Sequence, residues 1–137
     1  MSDSDISALQ RQLQEAIANL WWPSETDAPF ELNHWPEAFK TGFSSQALLA
    51  LTGHNNEGSC NETSVQTLFQ QVTQEQDWHG DEETAEVQRF QQLKDLILDA
   101  FSEVRVVKVG QVNIDIYIIG RTQANGWLVL STKAVET

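Results

Sequence analysis

Apolar residues recur at helical spacing over the first hundred positions and at strand spacing after Glu103. Ile6, Leu9, Leu13, Ile17 and Leu20 form one stripe, which predicts an amphipathic helix from about Asp5 to Asn19. Ser2 or Ser4 is placed to cap it, and Asp3 and Asp5 suit the positive end of its dipole. Pro23 ends helical backbone at Trp22, because the residue before a proline is pushed out of the α region. A polar loop over 24–29 follows. Phe30 to Trp35 then alternates as a short strand that Pro36 closes.

Ser44 opens a short helix through Ala47, Leu48 and Leu51, with Gly53 in the stop position. His54 to Asn61 has the composition of a surface loop. Val65, Leu68, Phe69 and Val72 predict another helix. After a polar loop around Asp77 to Gly80, Asp81, Glu82 and Glu83 open a longer one, whose apolar face is Val87, Phe90, Leu93, Leu96 or Ile97, and Phe101. Beyond Glu103 the period becomes two. Arg105–Val109, Val112–Ile119 and Trp127–Thr132 are β-branched and aromatic, separated by Gly110-Gln111 and by 120–126, which predicts an antiparallel meander. Val112, Ile114, Ile116 and Ile118 share one face, while Tyr117 and Ile119 make the other apolar too. Such a sheet needs helices on both faces. The expected class is α+β in one domain over 1–137, with the strands concentrated in the C-terminal part.

Charge adds an asymmetry to this layout. Residues 1–103 carry eighteen carboxylates against four basic side chains, a net −14, whereas the last thirty-four residues sum to +2. A field of that size steers partners. It disfavours nucleic acid, whose affinity for proteins comes from Lys and Arg on phosphates, and it suits a basic protein. Acidity of this kind also serves solubility alone. With Cys60 the single cysteine, no internal disulfide and no cysteine-based zinc site can form. The first residues show no secretory signal, and no apolar run approaches the roughly 18 residues of a membrane span. These features lead us to expect a cytoplasmic protein.

Catalytic chemistry is hard to assemble from this sequence. His34, His54 and His79 are scattered, there is no glycine-rich phosphate cradle, and Cys60 has no basic neighbour in sequence to activate it. Asp77, His79, Asp81, Glu82 and Glu83 can be drawn as a divalent-cation site of a small-ligand enzyme, but their spacing is not that of a calcium loop. Asp81 to Glu83 are equally a helix first turn that stabilises its dipole. No enzyme activity and no cofactor are expected. Acidic positions flanked by aromatics are the more promising feature: Glu25 and Asp27 between Trp21-Trp22 and Phe30, and Glu75 and Asp77 beside Trp78. Aromatic anchors with charges that fix register are how protein interfaces are built. Trp21, Trp22 and Trp127 are expected in the core and Trp78 on the surface.

Four segments taken together give a resemblance. Trp22-Pro23-Ser24-Glu25-Thr26-Asp27-Ala28-Pro29-Phe30-Glu31, Ala47 to Gly53, Gln74 to Trp78 with the acidic Asp81 to Glu83, and Leu130 through Thr137 are similar, in order and spacing, to segments of the cyanobacterial nuclease A inhibitor family. The resemblance spans nearly the whole chain. It implies a three-layer α/β/α sandwich with a largely antiparallel sheet. It also implies a protein that binds, 1:1, a sugar-nonspecific, magnesium-dependent DNA/RNA nuclease of the ββα-metal type and blocks its active site. Carried over by position, Glu25 is the glutamate that contacts the active site, Asp77 a second acidic contact, and Thr137 the group that reaches the partner's magnesium. Trp78 joins them through its place beside Asp77. On this reading the chain holds no metal of its own and contacts neither nucleic acid nor membrane. The loop His54 to Asn61 matches nothing in the family pattern. The alternative is an acidic interaction module of the same fold with a different basic partner.

Overall fold

The computed structural model describes residues 3–22, 28–35, 48, 60–70, 72–73, 80–101, 103–110, 113–121 and 127–135. In chain order these form α1 (Asp3–Ile17), β1 (Trp21–Trp22), β2 (Ala28–Pro29), β3 (Glu31–Trp35), β4 (Cys60–Thr63), α2 (Val65–Gln70), α3 (Asp81–Ala100), β5 (Glu103–Val109), β6 (Asn113–Arg121) and β7 (Trp127–Val135). The class is α+β. β1 and β2 make a small hairpin, and the other strands form a five-stranded sheet in the order β3-β7-β6-β5-β4, antiparallel at every pairing.

The expected meander is β5-β6-β7. Its first turn needs Gly110, whose φ of 118° is open to glycine and whose missing Cβ leaves room for the Asn113 carbonyl. Side chains alternate across this sheet as the period of two requires. Val106, Ile114, Ile116, Ile118, Leu128, Leu130 and Ala134 face the helices. There they bury with Leu13 and Ile17 of α1, Val65, Leu68 and Phe69 of α2, and Phe90, Leu93 and Ile97 of α3. Val107, Val109, Ile119, Trp127 and Val129 form a second buried cluster on the opposite face, with Leu48 packed into it. Leu48 is helical, as the sequence predicts; the rest of the helix expected over 44–51 lies outside the described residues. Among the described residues, no helix is long and apolar enough to cross a membrane.

Local chemistry sets the helix ends. α1 stops at Ile17, two residues earlier than its apolar stripe suggests, because Asn19 adopts a left-handed φ of 58°, a conformation asparagine tolerates. Arg89 of α3 then donates to the freed carbonyls of Ala16 (3.1 Å) and Ala18 (2.6 Å), placing a cation at the negative end of the α1 dipole. Ser64 caps α2 by accepting from the Thr67 amide at 3.1 Å. Gly80, which precedes α3, supplies no side-chain cap, and Asp81 places a carboxylate at its positive end instead.

Two expectations need correction. Cys60 and Asn61, read as loop, belong to β4 and pair with Val109 and Lys108. Cys-Asn-Glu-Thr lacks β-branched alternation, so this strand exists because β5 offers it an edge rather than through its own preference. Trp21, expected in the core, is 48% exposed, whereas Trp22 and Trp127 are buried. Trp21 and Trp22 are adjacent on an extended strand, so they must point to opposite sides.

Two substitutions test the packing. At Gly120 a Cβ would enter the ring of Phe101, so Gly120→Ala should destabilise by about 1–3 kcal/mol. Arg89→Ala should cost about 1–2 kcal/mol, because the part-buried Ala16 carbonyl and the exposed Ala18 carbonyl lose a charged donor. Urea denaturation with an unchanged m-value would establish both as folded-state effects.

Candidate functional site

Glu25, Asp77, Trp78 and Thr137 lie outside the described residues, as does His79. Their flanking residues are well placed. Trp21 pairs with Pro29 and Trp22 with Ala28, so the hairpin closes the segment that holds Glu25. Val135, the last described residue before Thr137, pairs with Asn113 at the start of β6. Asp81, just after the segment holding Asp77 and Trp78, begins a twenty-residue helix, about 30 Å long. Phe101, beyond the far end of that helix, lies on Gly120, while Phe90, midway along it, lies on Trp22 and Phe30. The second half of α3 therefore spans from the Trp22–Phe30 contact to Gly120. Trp22 and Ala28, Asp81, and Val135 flank the three segments, and β7 reaches the hairpin through Thr132.

The hairpin is held from two sides. Trp22 is 1% exposed and meets Phe30, Phe69 and Phe90 at centroid distances of 6.3, 5.9 and 6.0 Å, each edge to face, the arrangement that aromatic quadrupoles favour. From the sheet, the buried Thr132 hydroxyl lies 3.0 Å from the Pro29 carbonyl and 3.3 Å from that of Ala28. β1 and β2 are two residues each, too short to hold a hairpin by their own ladder. The Trp22 packing and the Thr132 bond supply what the ladder lacks.

Beside the hairpin, on the sheet face away from the helices, a cleft of about 510 Å³ opens. Pro29, Glu31, Asp115, Tyr117, Ser131 and Lys133 contribute to its lining, so among the described residues two carboxylates and one ammonium line it. The opposite end of the same face is built differently. Arg105 donates to Glu62 and to Glu103, both at 2.9 Å, and Arg121 lies 4.0 Å from Glu103 with its guanidinium 5.9 Å from the Trp127 ring centre. The hydrogen bond to Glu62, then that to Glu103, raises the Arg105 pKa. A raised arginine pKa gives stability that is complete below the ordinary arginine range and is lost only as pH climbs through the raised value, so this contribution is constant at physiological pH. With both partners about 40% exposed, each contact is worth at most about 1 kcal/mol. Two of the chain's eight basic side chains are thus committed at the end remote from the hairpin. Among the described residues no group of three His, Cys, Asp or Glu could hold a metal ion.

The sequence profile of the nuclease A inhibitor-like proteins matches residues 7–137, nearly the whole chain. The chain belongs to the nuclease A inhibitor-like family. No curated protein sequence matches it. Within this nuclease A inhibitor-like protein, sequence reasoning missed the cleft, because its lining comes from β2, β3, β6 and β7, which are far apart along the chain. The signal available was the period of two, which puts Asp115 and Tyr117, and likewise Ser131 and Lys133, on one face of their strands.

Thr132→Val keeps the shape but removes the bond to the hairpin carbonyls, and should cost about 1 kcal/mol. Hydrogen exchange should show the loss as faster exchange at Trp22 and its neighbours, with the centre of the meander unaffected.

Proposed function

We propose that this protein inhibits a sugar-nonspecific, magnesium-dependent nuclease of the ββα-metal type by occluding its active site, as a single domain with no turnover and no cofactor of its own. The family match over residues 7–137 carries the reading. The site assignment rests on the resemblance of the segments with Glu25, with Asp77 and Trp78, and with Thr137, which are flanked by the β1–β2 hairpin, by α3 and by β7. Several acidic and polar groups together suit a plug for a concave, basic cleft.

The chemistry is complementary on both sides. A nuclease cleft is basic because it holds phosphates, and its magnesium prefers oxygen ligands. Glu25 pairs with an arginine or lysine that otherwise binds the scissile phosphate, a charge-assisted contact. Asp77 adds a second carboxylate, and Trp78 an aromatic anchor beside it. Thr137 offers oxygen to the partner's magnesium. The acidic first 103 residues speed encounter. The helical Leu48 in the second buried cluster supports a helical layer there, completing a three-layer α/β/α sandwich. The reading places the protein in the cytoplasm, in a 1:1 complex.

Plasmid degradation by such a nuclease, titrated with this protein at fixed magnesium, should cease near one equivalent. Undiminished cleavage at large excess, with capture of a different basic protein, would favour an acidic interaction module instead. Glu25→Ala should weaken inhibition by about 1–3 kcal/mol, roughly 5- to 150-fold. Removal of Thr137 should weaken it as well. The association rate should fall as salt rises.

A further inference from the structure

Trp21 stands out among the described large apolar residues by its exposure. It is 48% exposed, although tryptophan is usually well buried. Its neighbour Trp22 does the packing, and the hairpin registers Trp21 opposite Pro29, also exposed. Pro29 lines the cleft, and Glu31, exposed on β3, lines it two residues further on. Trp21, through its register partner Pro29, therefore stands beside a cleft whose described lining holds two carboxylates, Glu31 and Asp115, against one ammonium, Lys133.

We propose that Trp21, Pro29 and Glu31 form a docking ledge for one arginine side chain on the surface of the nuclease partner; the proposal rests on the inhibitor reading above. Arginine fits each element. Its planar guanidinium stacks on an indole face and is weakly hydrated, so it loses little on leaving water. The same group donates in a fork that matches the Glu31 carboxylate. A lysine would meet the carboxylate as a point charge and leave the indole face poorly used. The chain's net charge of −12 supplies the long-range complement to a basic surface. The ledge adjoins the segment holding Glu25 through the Trp22–Ala28 pair, so it extends the proposed interface and does not found a separate one. An exposed tryptophan that becomes buried on binding is also the residue type that dominates interface energetics.

The test compares inhibition constants and melting temperatures for wild type, Trp21→Ala, Trp21→Phe, Glu31→Gln and Glu25→Ala against the same nuclease. The expected result is about tenfold or greater weakening for Trp21→Ala, most of the affinity restored in Trp21→Phe, a smaller loss for Glu31→Gln, and melting temperatures within a few degrees of wild type. Glu31→Gln keeps the side chain's size at an exposed position, so it reports on the ledge even if Trp21→Ala disturbs the hairpin. If wild type inhibits and Glu25→Ala weakens it, while Trp21→Ala and Glu31→Gln inhibit like wild type, the ledge is overturned and the inhibitor reading stands. If wild type does not inhibit, both fall together.

Discussion

The packing of Trp22 against Phe30, Phe69 and Phe90 is the contact on which the functional end of the molecule depends. It joins β1, the entry to β3, α2 and α3 at one point, and it does so where the local backbone has least to offer. A two-residue ladder cannot hold a hairpin in water. The aromatic quartet makes that hairpin part of the core, and the Thr132 hydroxyl fastens its other side to β7. Precision at the proposed inhibitory end is therefore borrowed from the centre of the fold. Sites held by rigid elements in this way lose less entropy on binding than free loops do.

Electrostatics and packing divide the two ends of the sheet. At the end where α3 finishes, Arg105 and Arg121 are occupied with Glu62 and Glu103. At the hairpin end, Glu31 and Asp115 outnumber Lys133 around the cleft. The acidity read from composition is thus not spread evenly over the described surface. A basic partner approaching the hairpin end meets carboxylates with fewer competing cations, which is what orientation of an encounter complex requires.

Much of the fold was legible in the sequence, and the reasons are particular. α3 and the β5-β6-β7 meander follow from long runs of apolar residues with a clear period, which packing reinforces. β4 was invisible, because Cys-Asn-Glu-Thr carries no strand pattern and forms by completing the edge of β5. The Trp21-Trp22 pair was read as one apolar unit, although an extended backbone must send one of the two outward. As for the site, Glu25, Asp77, Trp78 and Thr137 rest on a resemblance of short segments and lie outside the described residues. Their anchors were harder still to foresee. The meeting of the hairpin with β7 at Thr132 depends on strand order, which no local pattern encodes.

The bond from Thr132 to Pro29 spans 103 positions, and β3 finds its neighbour in β7, about as far along the chain. The bond of the hairpin to Thr132 and the pairing of β3 therefore wait for β7 to be made. Non-local closure of this kind slows folding. It also means that a growing chain on the ribosome cannot present an ordered hairpin until β7 has emerged.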